Sequence, residues 1–188
     1  MAEHRTRPER ILIGAVSNWY VITGGPSSGK TTTVDVLRRR GYRTAIEQSR
    51  HYIDLQRLGG RSVAEIRSRQ VEFQRNVLAM QLEQEAGLDP EEIVFLDRGL
   101  PDSLAYYRFL GLEPHPELLE ALGHLRYRKA FILSLLPLHS DYARTEDSDA
   151  QHRIHDLLLE VYRSLPVPLV EVPALGPDER ADYIVARM

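Results

Sequence analysis

Ten residues early in the chain, GGPSSGKTTT at positions 24–33, have a spacing that suits phosphate binding. The first eight match GxxxxGK[ST] in full, and they lie between an apolar run ending at Thr23 and the apolar residues from Val34 onward. Glycine lets the backbone turn its amide groups inward, and the N-terminus of a following helix adds partial positive charge. An ordinary Gly/Ser turn between a strand and a helix is the alternative, which the complete motif in this context disfavours.

The motif predicts a site for ATP and Mg²⁺, in which the lysine reaches the β and γ phosphates and the threonine hydroxyl binds the metal. The chain has only two lysines, Lys30 and Lys129, beside 22 arginines. Because arginine is used almost everywhere else, this asymmetry indicates that position 30 needs a compact ammonium rather than a planar guanidinium. The predicted nucleotide-binding residues are Gly25, Pro26, Ser27, Ser28, Gly29, Lys30, Thr31 and Thr32.

A second carboxylate position follows the apolar run Ile93–Leu96, where Asp97 and Arg98 stand next to each other. Asp97 can orient Mg²⁺ together with Thr31, either directly or through water. The alternative is a turn in which Asp97 caps the next helix. Arg98 stands where a hydrolytic motor would carry a water-activating glutamate. A guanine-specific switch is also disfavoured, because no asparagine is followed by lysine.

Glu47 follows the second predicted strand, so in a parallel sheet it would face the crevice at the carboxyl ends of the strands. It can take the proton of an attacking hydroxyl, while Arg50 binds an anionic group of the acceptor. A solvated surface pair of Glu47 and Arg50 is the alternative. Gln74 can hydrogen-bond a substrate base or amide. The predicted acceptor-binding residues are Glu47, Arg50, Gln74, Asp97 and Arg98; the predicted catalytic residues are Lys30, Glu47, Asp97 and Arg144.

Arg144 lies in the polar segment 137–149, whose composition is typical of a mobile lid. A guanidinium there can cover the transferred phosphoryl group. The alternative is an exposed arginine paired with a neighbouring carboxylate. Arg126, Arg128 and Arg153 compete for this role. His152 and His155 stand three residues apart on a helix, and a solvated helix face is favoured over a metal pair because no third ligand is evident.

Short apolar runs that alternate with helical patterns indicate a parallel sheet with helices on both faces. Strands are predicted at 18–23, 42–46, 93–96, 130–136 and 167–172. Helices are predicted at 30–40, from 63 to about 86, at 101–110, 116–125 and 178–187, and around 154–165. The chain is therefore expected to form one α/β domain over 1–188, a P-loop NTPase three-layer fold with a five-stranded parallel sheet and a helical lid, after an N-terminal extension at 1–16.

Composition excludes several classes of protein. The net charge of −3 and the absence of long basic runs disfavour nucleic acid as a primary partner. No apolar stretch is long enough to span a bilayer, so no membrane association is expected. The chain has no cysteine, which excludes thiolate metal sites and thiol nucleophiles and is consistent with a cytoplasmic location.

The assembled residues resemble the P-loop group of AAA family ATPases and kinases that is similar to nicotinamide riboside kinases and, more distantly, to thymidylate and deoxynucleoside kinases. The resemblance rests on VITGGPSSGKTT, on Glu47 with Arg50, on VFLDRGLPDSLAYYR, on ARTED and on VEVP with Glu179 and Arg180. It implies a Mg²⁺-dependent kinase that moves the γ-phosphoryl of ATP to a hydroxyl of a small, nucleoside-like acceptor. Gly99 replaces the aromatic residue of the thymidylate kinase pattern, which disfavours thymidylate. The alternatives are a nucleotide-binding module whose bound state is read by a partner protein, and a plain NTPase.

Overall fold

A computed structural model describes residues 16–137 and 147–188 of the chain. The strands are β1 (Trp19–Thr23), β2 (Arg43–Ala45), β3 (Val94–Asp97), β4 (Lys129–Leu133) and β5 (Leu169–Val172). The helices are α1 (Lys30–Arg39), α2 (Gln48–Leu58), α3 (Val63–Ser68), α4 (Gln70–Ala86), α5 (Leu100–Phe109), α6 (Pro116–Leu122), α7 (Ser148–Arg163) and α8 (Pro177–Val185).

The five strands form one parallel sheet in the order β2-β3-β1-β4-β5. Successive residues of a strand face opposite sides, so Val21 and Leu96 pack on one face and Ile22 and Phe95 on the other. Helices α5 and α7 cover the first face, while α1 and α8 cover the second. The predicted α/β/α fold with a five-stranded parallel sheet is therefore confirmed. The N-terminal extension and the central part of the lid lie outside the described residues.

The helical region after β2 differs from the prediction in two ways. Helix α2 was not predicted, although its Tyr52 and Ile53 are buried. The single helix expected from residue 63 onward is divided at Arg69, whose φ and ψ of −100° and 61° are not helical. The break is invisible to periodicity because the spacing from Ile66 to Phe73 continues the apolar pattern. Together α2, α3 and α4 enclose a separate cluster of apolar side chains beside the sheet.

Helix α7 begins inside the segment that the sequence predicted as a lid. Asp147 is the N-cap of α7, and its side chain accepts a hydrogen bond from the amide of Ala150 at 2.9 Å. Ser148 and Asp149 therefore belong to α7 rather than to the predicted lid of 137–149. Among the described helices, none is both long enough and apolar enough to cross a membrane.

Candidate active site

The loop between β1 and α1 has a backbone that few residue types can adopt. Gly24, Ser27 and Gly29 have positive φ angles of 141°, 57° and 82°. A side chain at position 24 would place its Cβ 2.7 Å from the carbonyl oxygen of Leu133, so this close approach requires glycine. Gly29 is the N-cap residue of α1 and has no side chain with which to cap the first amide groups. Those amides are suited to binding an anion.

Lys30 is bound by the loop that precedes it. Its side chain is buried, and Nζ donates to the carbonyl oxygens of Gly24 and Gly25 at 2.8 and 2.9 Å. A third contact reaches Ser28 Oγ at 3.3 Å. Three donors that diverge from one small cationic group match this arrangement, whereas the planar fork of arginine does not. The positive charge therefore lies inside the loop where phosphate binding was predicted.

Thr31 and Asp97 place two oxygen ligands side by side. Thr31 Oγ1 donates to Asp97 Oδ2 at 3.0 Å. Asp97 Oδ1 is buried and has no hydrogen-bond partner among the described residues. Burial and the nearby charge of Glu47 raise the pKa of Asp97 to about 6. An unpartnered carboxylate oxygen beside a hydroxyl fits a hard cation such as Mg²⁺, which prefers oxygen ligands.

Glu47 is buried in an ion pair and does not form the surface pair with Arg50. Its Oε1 accepts from Arg98 Nε at 2.8 Å and from Ser49 Oγ at 2.8 Å. Burial on its own would raise the pKa of Glu47, but the charges of Arg98 and Lys30 outweigh it and lower that pKa to about 2. Glu47 is therefore a permanent carboxylate at neutral pH.

Arg98 is fixed by its backbone and by three neighbouring side chains. Its φ of 76° is in the left-handed region, which a non-glycine residue occupies at a cost and which often marks a functional site. Besides Glu47, its guanidinium contacts Asp102 Oδ1 at 3.2 Å and Tyr106 Oη at 3.3 Å. Asp102 also accepts from Thr23 Oγ1 and Tyr162 Oη, each at 2.7 Å. The network joins the ends of β1 and β3 to α5 and α7.

A pocket of about 110 Å³ opens next to this network. It is bounded by Pro26 of the loop, by α2, by α3 and α4, and by α5. Glu47, Arg50, Gln74 and Arg98 all line it, so four of the predicted acceptor-binding residues lie at one pocket. The side chains that line it and were not predicted include Arg67, Phe73, Gln81, Asp102 and Tyr106. Phe73 belongs to both the apolar cluster and the pocket wall.

The remaining predicted residues have different outcomes. The amide of Gln74 is nearly buried, lines the pocket and has no hydrogen-bond partner among the described residues. Thr32 lies at the third position of α1 and is exposed. Arg144, the predicted lid arginine, lies outside the described residues.

Helices α7 and α8 contact the loop through three residues that sequence reasoning missed. Gln151 Nε2 donates to the carbonyl oxygen of Pro26 at 2.8 Å, and His155 Nδ1 accepts from the amide of Gly25 at 3.3 Å. His155 is thus half-buried rather than on a solvated face, and burial lowers its pKa. The spacing of four residues between Gln151 and His155 is a signal that could have paired them.

The third of these residues is Arg180 on α8. Its Nη1 donates to the carbonyl oxygen of Ser28 at 2.7 Å, and its side chain is almost fully buried. A Cβ at position 29 would collide with this guanidinium. The position therefore requires glycine for two reasons, this close approach and its positive φ. No spacing rule points to an arginine 152 positions away from its partner.

A family profile described as AAA domain matches residues 19–180. The chain belongs to the AAA domain family. The match extends from β1 into α8, so this AAA domain includes the loop, both carboxylates and Arg180. A search of curated protein sequences gives no match.

Solved structures with the same fold include NadR in complex with NR, with a TM-score of 0.63 and 18% identity over 83% of this chain. The AAA domain chain spans only 44% of the NadR chain. Deoxyadenosine kinase from M. mycoides with dCMP and dCDP matches with a TM-score of 0.62 and 13% identity over 90% of this chain and 97% of that one. The same kinase with bound dATP matches with a TM-score of 0.60, 14% identity, and coverage of 90% and 98%. The resemblance to the P-loop kinase group is thereby confirmed in family and fold.

Proposed function

We propose that this protein is a Mg²⁺-dependent kinase that transfers the γ-phosphoryl group of ATP to a hydroxyl of a small, nucleoside-like acceptor. The observation that carries the proposal is the pocket that begins at the phosphate-binding loop. Pro26 of the loop, Glu47 and Arg98 all line this pocket. An acceptor bound there would therefore meet the end of a nucleotide bound in the loop.

The donor side depends on the loop amides and on Lys30. Lys30 Nζ is held by loop carbonyls at 2.8 and 2.9 Å, contacts that a phosphate oxygen is able to replace. Two side chains from outside the loop hold its backbone in place. Arg180 donates to the carbonyl oxygen of Ser28, and His155 accepts from the amide of Gly25. The catalytic contribution of such preorganised donors is the stabilisation of charge on the transferred group.

The proposed metal position consists of Thr31 Oγ1 and Asp97. The unpartnered Oδ1 of Asp97 supports it, since a buried carboxylate oxygen without a partner is costly unless a ligand completes the site. When bound, Mg²⁺ would neutralise charge that develops on the phosphate oxygens. Mg²⁺ usually keeps several waters and binds one or two protein ligands together with substrate phosphates, so Thr31 and Asp97 would be a sufficient protein contribution.

On the acceptor side we assign Glu47 to the attacking hydroxyl. Its low pKa makes it a weak base in the ground state, so its first role is to orient the hydroxyl as a hydrogen-bond acceptor. The loose transition state of phosphoryl transfer requires little early proton removal. The proton can then pass to Glu47 as the new O–P bond forms and the hydroxyl becomes acidic. Arg98 keeps the carboxylate ionised and in place.

The fold supports the reaction class without deciding the acceptor. One similar structure is a deoxyadenosine kinase and another, NadR, holds NR, which favours a nucleoside-like acceptor. Because unrelated reactions share this fold, the acceptor must be identified by experiment.

The test is a screen of MgATP with a library of nucleosides and nucleotides, with ADP formation as the readout. We expect ADP formation to increase with at least one nucleoside and a phosphorylated product to appear by mass spectrometry. ADP formation that no acceptor changes would contradict the proposal. Lys30→Ala is the low-activity reference, and Lys129→Ala is its matched control because Lys129 is the only other lysine in the chain.

A further inference from the structure

A chain of three hydrogen bonds connects the N-terminus of α5 to the pocket wall. The amide of Leu100 donates to Tyr127 Oη at 3.0 Å, and Tyr127 Oη donates to Glu85 Oε1 at 2.6 Å. Gln81 Nε2 donates to the same carboxylate oxygen at 2.7 Å. The side chains of Gln81, Glu85 and Tyr127 are exposed by only 4%, 9% and 4%, so water does not compete for these contacts.

The direction of every bond in this chain is fixed by its first member. A backbone amide is only a donor, so Tyr127 must accept there and its single proton must go to Glu85. Glu85 Oε1 is therefore an acceptor, and Gln81 must turn its NH₂ group toward it. The carbonyl oxygen of Gln81 is then the only polar atom of that side chain left for other partners.

Gln81 lines the pocket, and so does Gln74, which lies about two helical turns earlier on α4. The two amides differ in one respect. Gln74 has no hydrogen-bond partner among the described residues, so it can turn either end of its amide toward a ligand. Rotation of the Gln81 amide by 180° would break its buried hydrogen bond to Glu85. It would also place the Gln81 carbonyl oxygen against the Glu85 carboxylate oxygen, and two acceptors repel each other.

We propose that Gln81 is a specificity-determining residue that presents a hydrogen-bond acceptor to the pocket, and that Tyr127 and Glu85 are positioning residues that hold it so. This inference rests on the proposed function, since it names the class of acceptor for the same pocket. The pocket selects ring systems that carry an exocyclic amino or amide NH₂ group. It discriminates against analogues without that donor, because the Gln81 carbonyl would then be buried without a partner.

Two further observations support this arrangement. Gly99 has no side chain, and a Cβ there would lie 3.1 Å from Tyr127 Oη, so glycine makes room for the hydroxyl that starts the chain. Separately, burial raises the pKa of Glu85 to about 7. Protonation on Oε2 leaves Oε1 as an acceptor, so both ionisation states preserve the polarity.

The orientation is tested first without any ligand, by the exchange of side-chain amide protons in ¹⁵N-glutamine-labelled protein. The Gln81 signal is assigned by its loss in Gln81→Leu. We expect its NH₂ protons to exchange about tenfold or more slowly than those of Gln74, the effect of one buried hydrogen bond. Glu85→Leu should remove this protection. Equal exchange of Gln74 and Gln81 in the wild type overturns the proposed orientation.

Selectivity is tested by equilibrium binding without ATP, so that it does not depend on phosphoryl transfer. The ligands are two pairs in which hydrogen replaces one amino group: adenosine against purine riboside, and cytidine against pyrimidin-2-one riboside. We expect the wild type to prefer the amino member of at least one pair by about tenfold. Equal affinity within both pairs, or no binding of any of the four, overturns the proposal. Failure of phosphoryl transfer with binding selectivity intact would contradict the kinase activity alone.

Variants separate positioning from a merely structural role. In Glu85→Leu the preference should fall to within about twofold, because the Gln81 amide is then free to rotate. In Tyr127→Phe the preference should fall only where Glu85 is protonated, because only the protonated carboxyl is able to donate to the Gln81 carbonyl instead of accepting from its NH₂ group. Glu85→Gln retains a carbonyl acceptor and should retain the preference, even if Glu85→Leu proves unstable. Glu83→Gln, an exposed change of the same kind on α4, is the matched control and should leave it unchanged. A preference that persists in Glu85→Leu overturns the assignment.

Discussion

Arg98 and Glu47 form an ion pair in which Nε and Oε1 are 2.8 Å apart, with only about a tenth of each side chain exposed. The pair ties the end of β3 to the start of α2 and keeps a carboxylate charged at the mouth of the pocket. Such a pair contributes little net stability, since removing two charges from water is costly. Its role is to fix the position and charge of Glu47.

Replacing Glu47 by glutamine keeps the shape of the side chain and removes its charge. We expect kcat to fall by about 10², while the dissociation constant for ATP stays within about twofold, because the donor loop is untouched. Steady-state kinetics with nucleotide titrations would measure both quantities. Loss of ATP binding in this variant would identify Glu47 as a structural residue instead.

Lys30→Ala removes the buried ammonium from the loop. We expect a loss of about 10² to 10³ in kcat, the usual effect of removing one preorganised donor to developing charge. The matched variant Lys129→Ala should retain full activity, since Lys129 contacts the carbonyl oxygen of Arg187 at the surface. Wild-type turnover by the Lys30 variant would remove the basis for the donor site.

Gly99→Ala tests the close packing beneath α5. The backbone of Gly99 is extended, with φ and ψ of −131° and 178°, so alanine causes no backbone strain. Its Cβ would lie 3.1 Å from both Tyr127 Oη and Val21 Cγ2, and Tyr127 cannot shift without weakening its bonds to Leu100 and Glu85. We expect the free energy of unfolding to fall by about 1 to 3 kcal/mol in urea titrations.

A double variant provides the control for Gly99→Ala. In a Tyr127→Phe background the hydroxyl is absent, so the cost of the added Cβ should be smaller than in the wild type. Additive losses would place the strain at Val21 rather than at the hydrogen-bond chain.

Glu85 predicts a pH dependence of stability. Its pKa is raised from 4.5 to about 7 in the folded protein, so between these values the folded state holds a proton that the unfolded state has lost. The contribution of Glu85 to stability is therefore complete below pH 4.5 and is lost as the pH rises through 7. This difference between the folded and unfolded pKa corresponds to roughly 3 kcal/mol.

Denaturant titrations from pH 4 to 8 would measure this contribution as the difference between the wild type and Glu85→Gln. The variant should lack this fall in stability, whereas Glu83→Gln should follow the wild type. Parallel profiles for the wild type and Glu85→Gln would show that Glu85 does not titrate in this range.

Local patterns predicted much of the fold and the glycine loop between β1 and α1. The loop at 24–31 was recognisable because left-handed turns and close backbone approaches require glycine at fixed spacings. The position of Asp97 at the end of β3 was predicted correctly because an interior strand is recognisable as an apolar run. Helix α2 was missed because few of its residues are buried. The Ser62–Glu65 capping box, which begins α3, was a local signal available in the sequence.

The sequence alone determined most of the strands and helices and the glycine loop at 24–31, since these depend on backbone requirements within about ten neighbouring residues. Only the tertiary structure decided that Glu47 pairs with Arg98 rather than Arg50, and that Arg180 and His155 support the loop. It also decided that the NH₂ group of Gln81 donates to Glu85, which in turn accepts from Tyr127. The physical reason is that hydrogen bonds and desolvation depend on side chains brought together from distant elements, and spacing along one chain does not encode those distances.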